Sequence, residues 1–322
     1  MTTSFEQWVT TSCRLTSCRL DYLPGDASFR RYARVQHANQ TWIAMDASAE
    51  KNSCVPFAAI ATALRRSGLH APQVIASDFE RGFLLLSDLG DRVLLRELTE
   101  VNALQYYQRA LDALRMMQQV TLDDFALKLF TAEFMYQELQ LFREWFLQKH
   151  LALTLDFSTQ KMLDHTFLLL AESAASQPRV FMHRDFHSAN LMLLPDDEIG
   201  ILDFQDAFMG PVTYDLVSLL RDCYIAWPEQ MVQKWLHSFH EKMTLPGVSY
   251  NQLTHWFDWM GLQRHMKALL TFSRKFHRDN NSNYLQHIPR TLNYILTISE
   301  RYAETRQLHQ FLTNVVAEKC VE

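Results

Sequence analysis

Within HRDFHSAN, residues 183–190, a carboxylate at Asp185 and a carboxamide at Asn190 stand five positions apart, and ILDFQD then supplies a second carboxylate at Asp203. One carboxylate can orient a hydroxyl group and take its proton. An amide oxygen and another carboxylate can hold a hard divalent cation, which seeks oxygen ligands. Together these are the parts that phosphoryl transfer requires, a reaction in which positioning and charge neutralisation outweigh covalent work by the protein. His183, Arg184, Asp185 and Asn190 match H-R-D-x-x-x-x-N, the pattern in which the aspartate serves the acceptor hydroxyl and the asparagine a magnesium ion. Asp203 and Phe204 fall where the accompanying D-F belongs.

Other origins for these letters are weaker. A buried arginine–aspartate pair also spells HRD, but here both motifs sit in a strand–loop–strand setting at the expected separation. His183 and His187, at i and i+4, lack the helix and the intervening glutamate of a zinc site. A second string, HRDNNSN at residues 277–283, has only three residues between Asp279 and Asn283, no flanking apolar strand and no following D-F. It reads as a polar loop.

The elements that position the motif follow from apolar periodicity. RLDYL, FRRYARV, TWIAM and GFLLL are β-like runs, and residues 56–69 form a helical pattern stopped at Gly68. LMLL and IGILDF flank the turn signal PDDE, which predicts that the catalytic loop feeds a hairpin. From Leu94 on, long amphipathic stretches dominate. The expected fold class is α+β, a protein-kinase-like two-lobe fold with a small β-rich N-lobe over 1–90, a hinge near 87–90 and a large, mostly helical C-lobe over 91–322. The C-lobe would hold the catalytic loop 183–190, the metal motif 203–206 and acceptor-binding helices in 228–322.

The formal charge of -5 gives no electrostatic footprint for nucleic acid or an anionic membrane. No apolar run approaches the roughly 18 residues of a membrane span, and the start of the chain lacks a signal-peptide pattern. Cys13, Cys18, Cys54, Cys223 and Cys320 are odd in number and lack metal-ligand spacing, which fits a cytoplasmic protein.

DFQDAFMGPVTYDLVSLLRD runs straight toward a helix, with no long activation segment. With HRDFHSAN, this resembles the aminoglycoside phosphotransferase and choline kinase superfamily, over essentially the whole chain. GDASFRRYARV, AMDAS, LLLSDLGDR, VFMHRDFHSANLM and FDWMGLQRHMKAL narrow the resemblance to bacterial sugar kinases of cell-wall recycling. Those enzymes act on the anomeric hydroxyl of N-acetylmuramate and N-acetylglucosamine. The resemblance implies ATP and Mg2+ as cofactors, an amino-sugar acceptor, adenine against the backbone of Ser87, Asp88 and Leu89, and a supporting role for Asp215 on the loop through Arg184. It also implies a link to a sugar-1-phosphate nucleotidyltransferase.

The pattern departs from kinases on strand three, where V-A-I-K carries a phosphate-holding lysine. Here IAMD puts Asp46 on the face of Ala44. An uncompensated carboxylate would repel triphosphate by about 4 kcal/mol at 4 Å, so Arg31 is expected to face the nucleotide and neutralise Asp46, with Phe29, Ala33 and Val35 roofing adenine. Arg30 would face away. A solvated Arg31 and an Asp46 that caps the following turn is the alternative. The loop PGDAS has one glycine, so phosphate contact would come from the backbone N–H groups of Asp26, Ala27 and Ser28.

Residues 228–322 hold eleven Lys and Arg against eight Asp and Glu, whereas the remainder is acidic. That disfavours a polycationic acceptor and tolerates a sugar bearing a carboxylate. Candidate acceptor contacts are Asp222 for hydroxyls and Arg264, Arg274 and Arg278 for a carboxylate. An aminoglycoside, choline or another sugar remains an alternative acceptor. A nucleotide-binding protein without turnover is the alternative from another class, disfavoured by the intact Asp185, Asn190 and Asp203.

Overall fold

Side-chain alternation builds the first part of the chain into an antiparallel sheet. This computed structural model describes residues 4–24, 29–122, 126–243 and 247–316. Strands β1 (Arg19–Tyr22), β2 (Arg31–His37), β3 (Gln40–Asp46), β4 (Val74–Asp78) and β5 (Phe83–Ser87) pair in the order β1-β2-β3-β5-β4. One face, with Ala33, Val35, Ala44, Phe83 and Leu85, is buried under Phe5, Trp8 and Val9 of the N-terminal helical turns. Of these, Val35, Phe83 and Leu85 each contribute about 1.5–3 kcal/mol by leaving water, and the alanines less. Helix α1 (Cys54–Arg66) ends at Gly68, whose φ of +82° lets the chain turn back while the Leu69 N–H bonds to Leu64.

The β-like runs and the helix expected over 56–69 are all present; β4 was not anticipated. Gly82, between β4 and β5, has φ +79°, and a Cβ there would lie 2.9 Å from the Ala47 carbonyl oxygen. The predicted hairpin forms from Leu191–Leu193 and Ile199–Ile201, closed by Asp196 and Asp197 in left-handed conformation. By contact density the chain divides into two units: Met1–Leu127 with Ala189–Ala207, and Lys128–Ser188 with Phe208–Glu322. The first therefore runs on past 90 through helix α2 (Ala103–Met117) and takes in the hairpin.

The second unit contains helices α3 (Ala132–Phe142), α4 (Phe157–Ala175), α5 (Tyr214–Leu220), α6 (Glu229–Glu241), α7 (Tyr250–Asp279) and α8 (Ile288–Ser299). A strand pair, Arg179–Met182 with Phe208–Pro211, accompanies them. Ser249 caps α7 by accepting from the Gln252 N–H, and Asn280, with φ 52°, ends it. Leu262, Met266 and Leu269 of α7 pack with Phe142, Phe146, Phe167 and Ile295 into a core of this unit, as does Trp259. Two expectations are corrected here. His277–Asp279, exposed, is the last turn of α7 rather than a loop: the helix runs on past its last buried residue, Ser273, until Asn280 ends it. A short strand, Phe208–Pro211, precedes the helix after Asp203. Among the described residues, no helix is long and apolar enough to cross a membrane.

Candidate active site

The strand Arg179–Met182 delivers HRDFHSAN, the candidate catalytic loop, and two buried carboxylates hold the ends of its stretch His183–Ser188. Asp215, in the first turn of α5, accepts from the backbone N–H groups of His183 at 2.6 Å and Arg184 at 2.9 Å. Burial pushes its carboxyl up to about 6. Arg184 itself turns elsewhere: its guanidinium meets Glu138 at 3.0 Å and lies over the Phe208 ring. The expected support of the loop by Asp215 reaches Arg184 at its backbone N–H. Buried His183 accepts at Nδ1 from the Asp185 N–H at 3.3 Å.

At the other end Asp222 accepts from the Ser188 N–H and hydroxyl at 2.9 and 2.5 Å and from the Tyr224 N–H at 2.8 Å. Only 1 % exposed, with both oxygens engaged by protein donors, Asp222 is a clamp for the loop rather than the acceptor contact expected from sequence. Between the clamps the Asp185 side chain stays partly exposed, 3.1 Å from the Lys267 ammonium of α7. Burial opposes its ionisation, but Lys267 foremost, with other neighbouring cations, holds its carboxyl well below the usual carboxylate range.

A cavity of about 50 Å³ opens beside Asp185, lined by His187, Tyr224, Arg264, Lys267 and Thr271 among others. Arg264 is buried, donating to the Ser218 hydroxyl and to Cys223 Sγ, yet it reaches this lining. Lys267, Arg274 and Arg278 follow it on one face of α7 at helical spacing. Arg274 is partly buried and makes no hydrogen bond or ion pair among the described residues. Arg278 is held bidentately by Asp279 at 2.6 and 2.9 Å. It lies eleven residues past Lys267, about 16 Å along the helix, too far for a sugar seated on Asp185. Sequence reasoning missed Lys267; the signal was its place three residues after Arg264 in that basic row.

In the first unit a cavity of about 340 Å³ is walled by Leu23, Tyr32, Ile43, Phe57, Leu86, Met192 and Leu202. Ser87, Asp88 and Leu89 line it, and so do Asn190 and Asp203. Among the described residues nothing bonds to the backbone N–H or C=O of Leu89, leaving a donor and an acceptor on the wall. The Asp88 side chain is taken by Arg34 at 2.7 Å and by the Gly90 N–H. Leu202 N–H bonds to the Asn190 carbonyl, and the Asn190 amide nitrogen lies 3.4 Å from Asp203 Oδ2. Asp203, at φ 63°, also accepts from Gln205 at 2.7 Å. One amide oxygen and one carboxylate fit Mg2+, which is bound by one or two carboxylates plus phosphates and water. No cluster of three His, Cys, Asp or Glu suited to a metal exists among the described residues.

The expected nucleotide face of β2 and β3 is corrected. Ala33, Val35 and Ala44 are buried beneath Phe5 and Trp8, away from this cavity, and Phe29 is exposed. Arg31 does pair with Asp46 at 2.5 Å, in register across the sheet, but neither lines the cavity. A period of two separates the faces without saying which one meets the ligand; the cavity side is that of Tyr32, Arg34 and Ile43. Met45, on this side of β3, brings no charge. Arg30, by contrast, is buried and interacts with Tyr32, whose phenol is pushed up by burial against the Arg30 charge, with Asp203 near enough to add to the rise. Asp26, Ala27 and Ser28 lie outside the described residues.

The sequence profile described as "Phosphotransferase enzyme family" matches residues 20–248. The chain belongs to the phosphotransferase enzyme family. This phosphotransferase is 40% identical over 294 residues to the N-acetylmuramate/N-acetylglucosamine kinase of Pseudomonas aeruginosa, covering 90% of this chain and 86% of that one. It is 34% identical over 326 residues to the enzyme of the same name from Neisseria meningitidis serogroup B, covering 98% and 96%. Its fold is that of the ADP-bound aminoglycoside phosphotransferase APH(2'')-Ib, at TM-score 0.64 and 13% identity over 91% of this chain and 98% of that one. The choline kinase LicA of Streptococcus pneumoniae matches at TM-score 0.64 and 14% identity over 92% and 100%.

Proposed function

We propose that this phosphotransferase is a sugar kinase that moves the γ-phosphoryl group of ATP to the anomeric hydroxyl of N-acetylmuramate or N-acetylglucosamine, giving the sugar 1-phosphate. The names of its relatives at 34% and 40% identity support the acceptor class. The observation that carries the chemistry is Asp185, partly exposed in a loop that buried carboxylates grip at both ends. In this reading the acceptor hydroxyl donates to Asp185. Its oxygen forms a bond to the γ-phosphorus, the bond from phosphorus to the β-γ bridging oxygen breaks with its electron pair leaving on ADP, and the proton passes to Asp185. A depressed carboxyl is a weak base. An anomeric hydroxyl, being more acidic than a primary alcohol, suits it.

Asn190 and Asp203 would hold Mg2+, which when bound neutralises phosphate charge. Adenine would use the N–H and C=O of Leu89 within the apolar walls of Tyr32, Ile43 and Leu86. Arg264 and Lys267 beside Asp185 favour an anionic or neutral sugar over a polycation, and Arg274 is the candidate partner for a lactyl carboxylate. Such a product would feed a sugar-1-phosphate nucleotidyltransferase in cytoplasmic peptidoglycan recycling. Phosphorus NMR of the product tests the reading: the expected signal couples to the anomeric proton and is absent with Asp185→Asn. Phosphorus on a primary alcohol, or turnover by the Asn variant, overturns it.

A further inference from the structure

Phosphoryl transfer spreads negative charge over three equatorial oxygens, and the protein must meet that charge with cations. The loop brings no lysine or arginine of its own past Asp185: Phe186 is buried, burial lowers the His187 imidazole below its usual range, and Ser188 is bound to Asp222. Arg184, before it, is turned to Glu138 and the Phe208 ring. Arg264 is fixed on Ser218 and Cys223. Lys267, reaching in from α7 to within 3.1 Å of Asp185 Oδ1, is the ammonium at the loop's reactive carboxylate.

We propose that Lys267 is a catalytic residue, a cation supplied from a distant helix that orients the Asp185 carboxylate and contacts the transferred phosphoryl group. This rests on Asp185 serving the acceptor hydroxyl, not on which sugar carries it. The distances lead there. An acceptor hydroxyl on Asp185 lies about 2.6–3.2 Å from the carboxylate, and the phosphorus must come to about 3–3.5 Å of that hydroxyl. An ammonium in hydrogen-bond contact with the same carboxylate oxygen is therefore one contact from the phosphoryl oxygens. It has three donors, and one reaches Asp185. Lys267 lines the cavity next to that carboxylate, so the others have room to turn toward an incoming group. While the acceptor oxygen bonds to phosphorus, ADP departs with the electron pair and Asp185 takes the proton, Lys267 keeps its own proton throughout.

The test compares Lys267→Met and Lys267→Arg with Asp185→Asn in steady-state kinetics, with the thermal shift given by ADP as the measure of folding and nucleotide binding. Expected for Lys267→Met is a kcat about 10²–10³-fold lower, with KM for ATP within threefold and an unchanged ADP shift; Lys267→Arg recovers at least tenfold of the loss. If Lys267→Met keeps its kcat within threefold while Asp185→Asn is dead, the proposal is overturned. It is equally overturned if Lys267→Arg is no better than Lys267→Met, or if ADP binding falls along with kcat, since those results mean a packing role. Activity in Asp185→Asn would instead sink the assignment of the base.

Discussion

The carboxyl of Asp215, raised by burial to about 6, must be ionised to accept the backbone N–H groups of both His183 and Arg184. Its folded value lies above the ordinary 3.8, so the native state binds this proton more tightly than the unfolded chain does. The group's contribution to stability is therefore present in acid and lost as pH rises through about 6. Catalysis runs the other way, because protonation removes one acceptor from the loop. We expect kcat to fall below about pH 6 while this residue takes nothing from stability there. Profiles of kcat from pH 5 to 8 for the wild type and Asp215→Asn check it: the asparagine variant should lose the acid limb, and a limb that persists in it disproves the link. At this scale Asp185, Asn190 and Asp203 were legible as letters in a fixed pattern. Lys267 was not, because it joins Asp185 across 82 positions of chain, and its place three residues after Arg264 marks a basic row without naming that partner.

Among the elements, strands with clear alternation were readable, whereas β4 was hidden. VIASD has only two strongly apolar residues and pairs with β5 through a register shift between Val74 and Ala76, which blurs the period. The orientation of β2 and β3 was beyond reach for a different reason, since both faces of the sheet carry apolar residues and the N-terminal turns select which one is covered. Gly82 shows what the β4–β5 connection demands. Its left-handed φ and the 2.9 Å approach to the Ala47 carbonyl leave no place for a methyl group. Gly82→Ala should lower stability by about 1–3 kcal/mol, read as a lower midpoint in urea with an unchanged slope. A midpoint equal to wild type would mean that the turn relaxes freely.

For the molecule as a whole, the α+β class and the kinase-like plan were legible because the small sheet and the long helices are written as separate blocks of period. The partition was less so: residues 189–207 return to the first unit after a long excursion, and only three-dimensional contacts reveal that. Nucleotide should register this partition. ADP is expected to slow amide hydrogen exchange by about tenfold or more over residues 87–90, 190–192 and 202–205, leaving the core of α3, α4 and α7 unchanged. Equal protection of both sets, or none in the first, would place the nucleotide elsewhere.

Asp215 and Asp222 stand more than thirty positions downstream of the backbone groups they grip. Anyone grafting HRDFHSAN into a foreign scaffold would transplant the letters without their anchors. The portable unit is the octapeptide together with the helix and turn at 214–224, and a designer who borrows one must borrow the other.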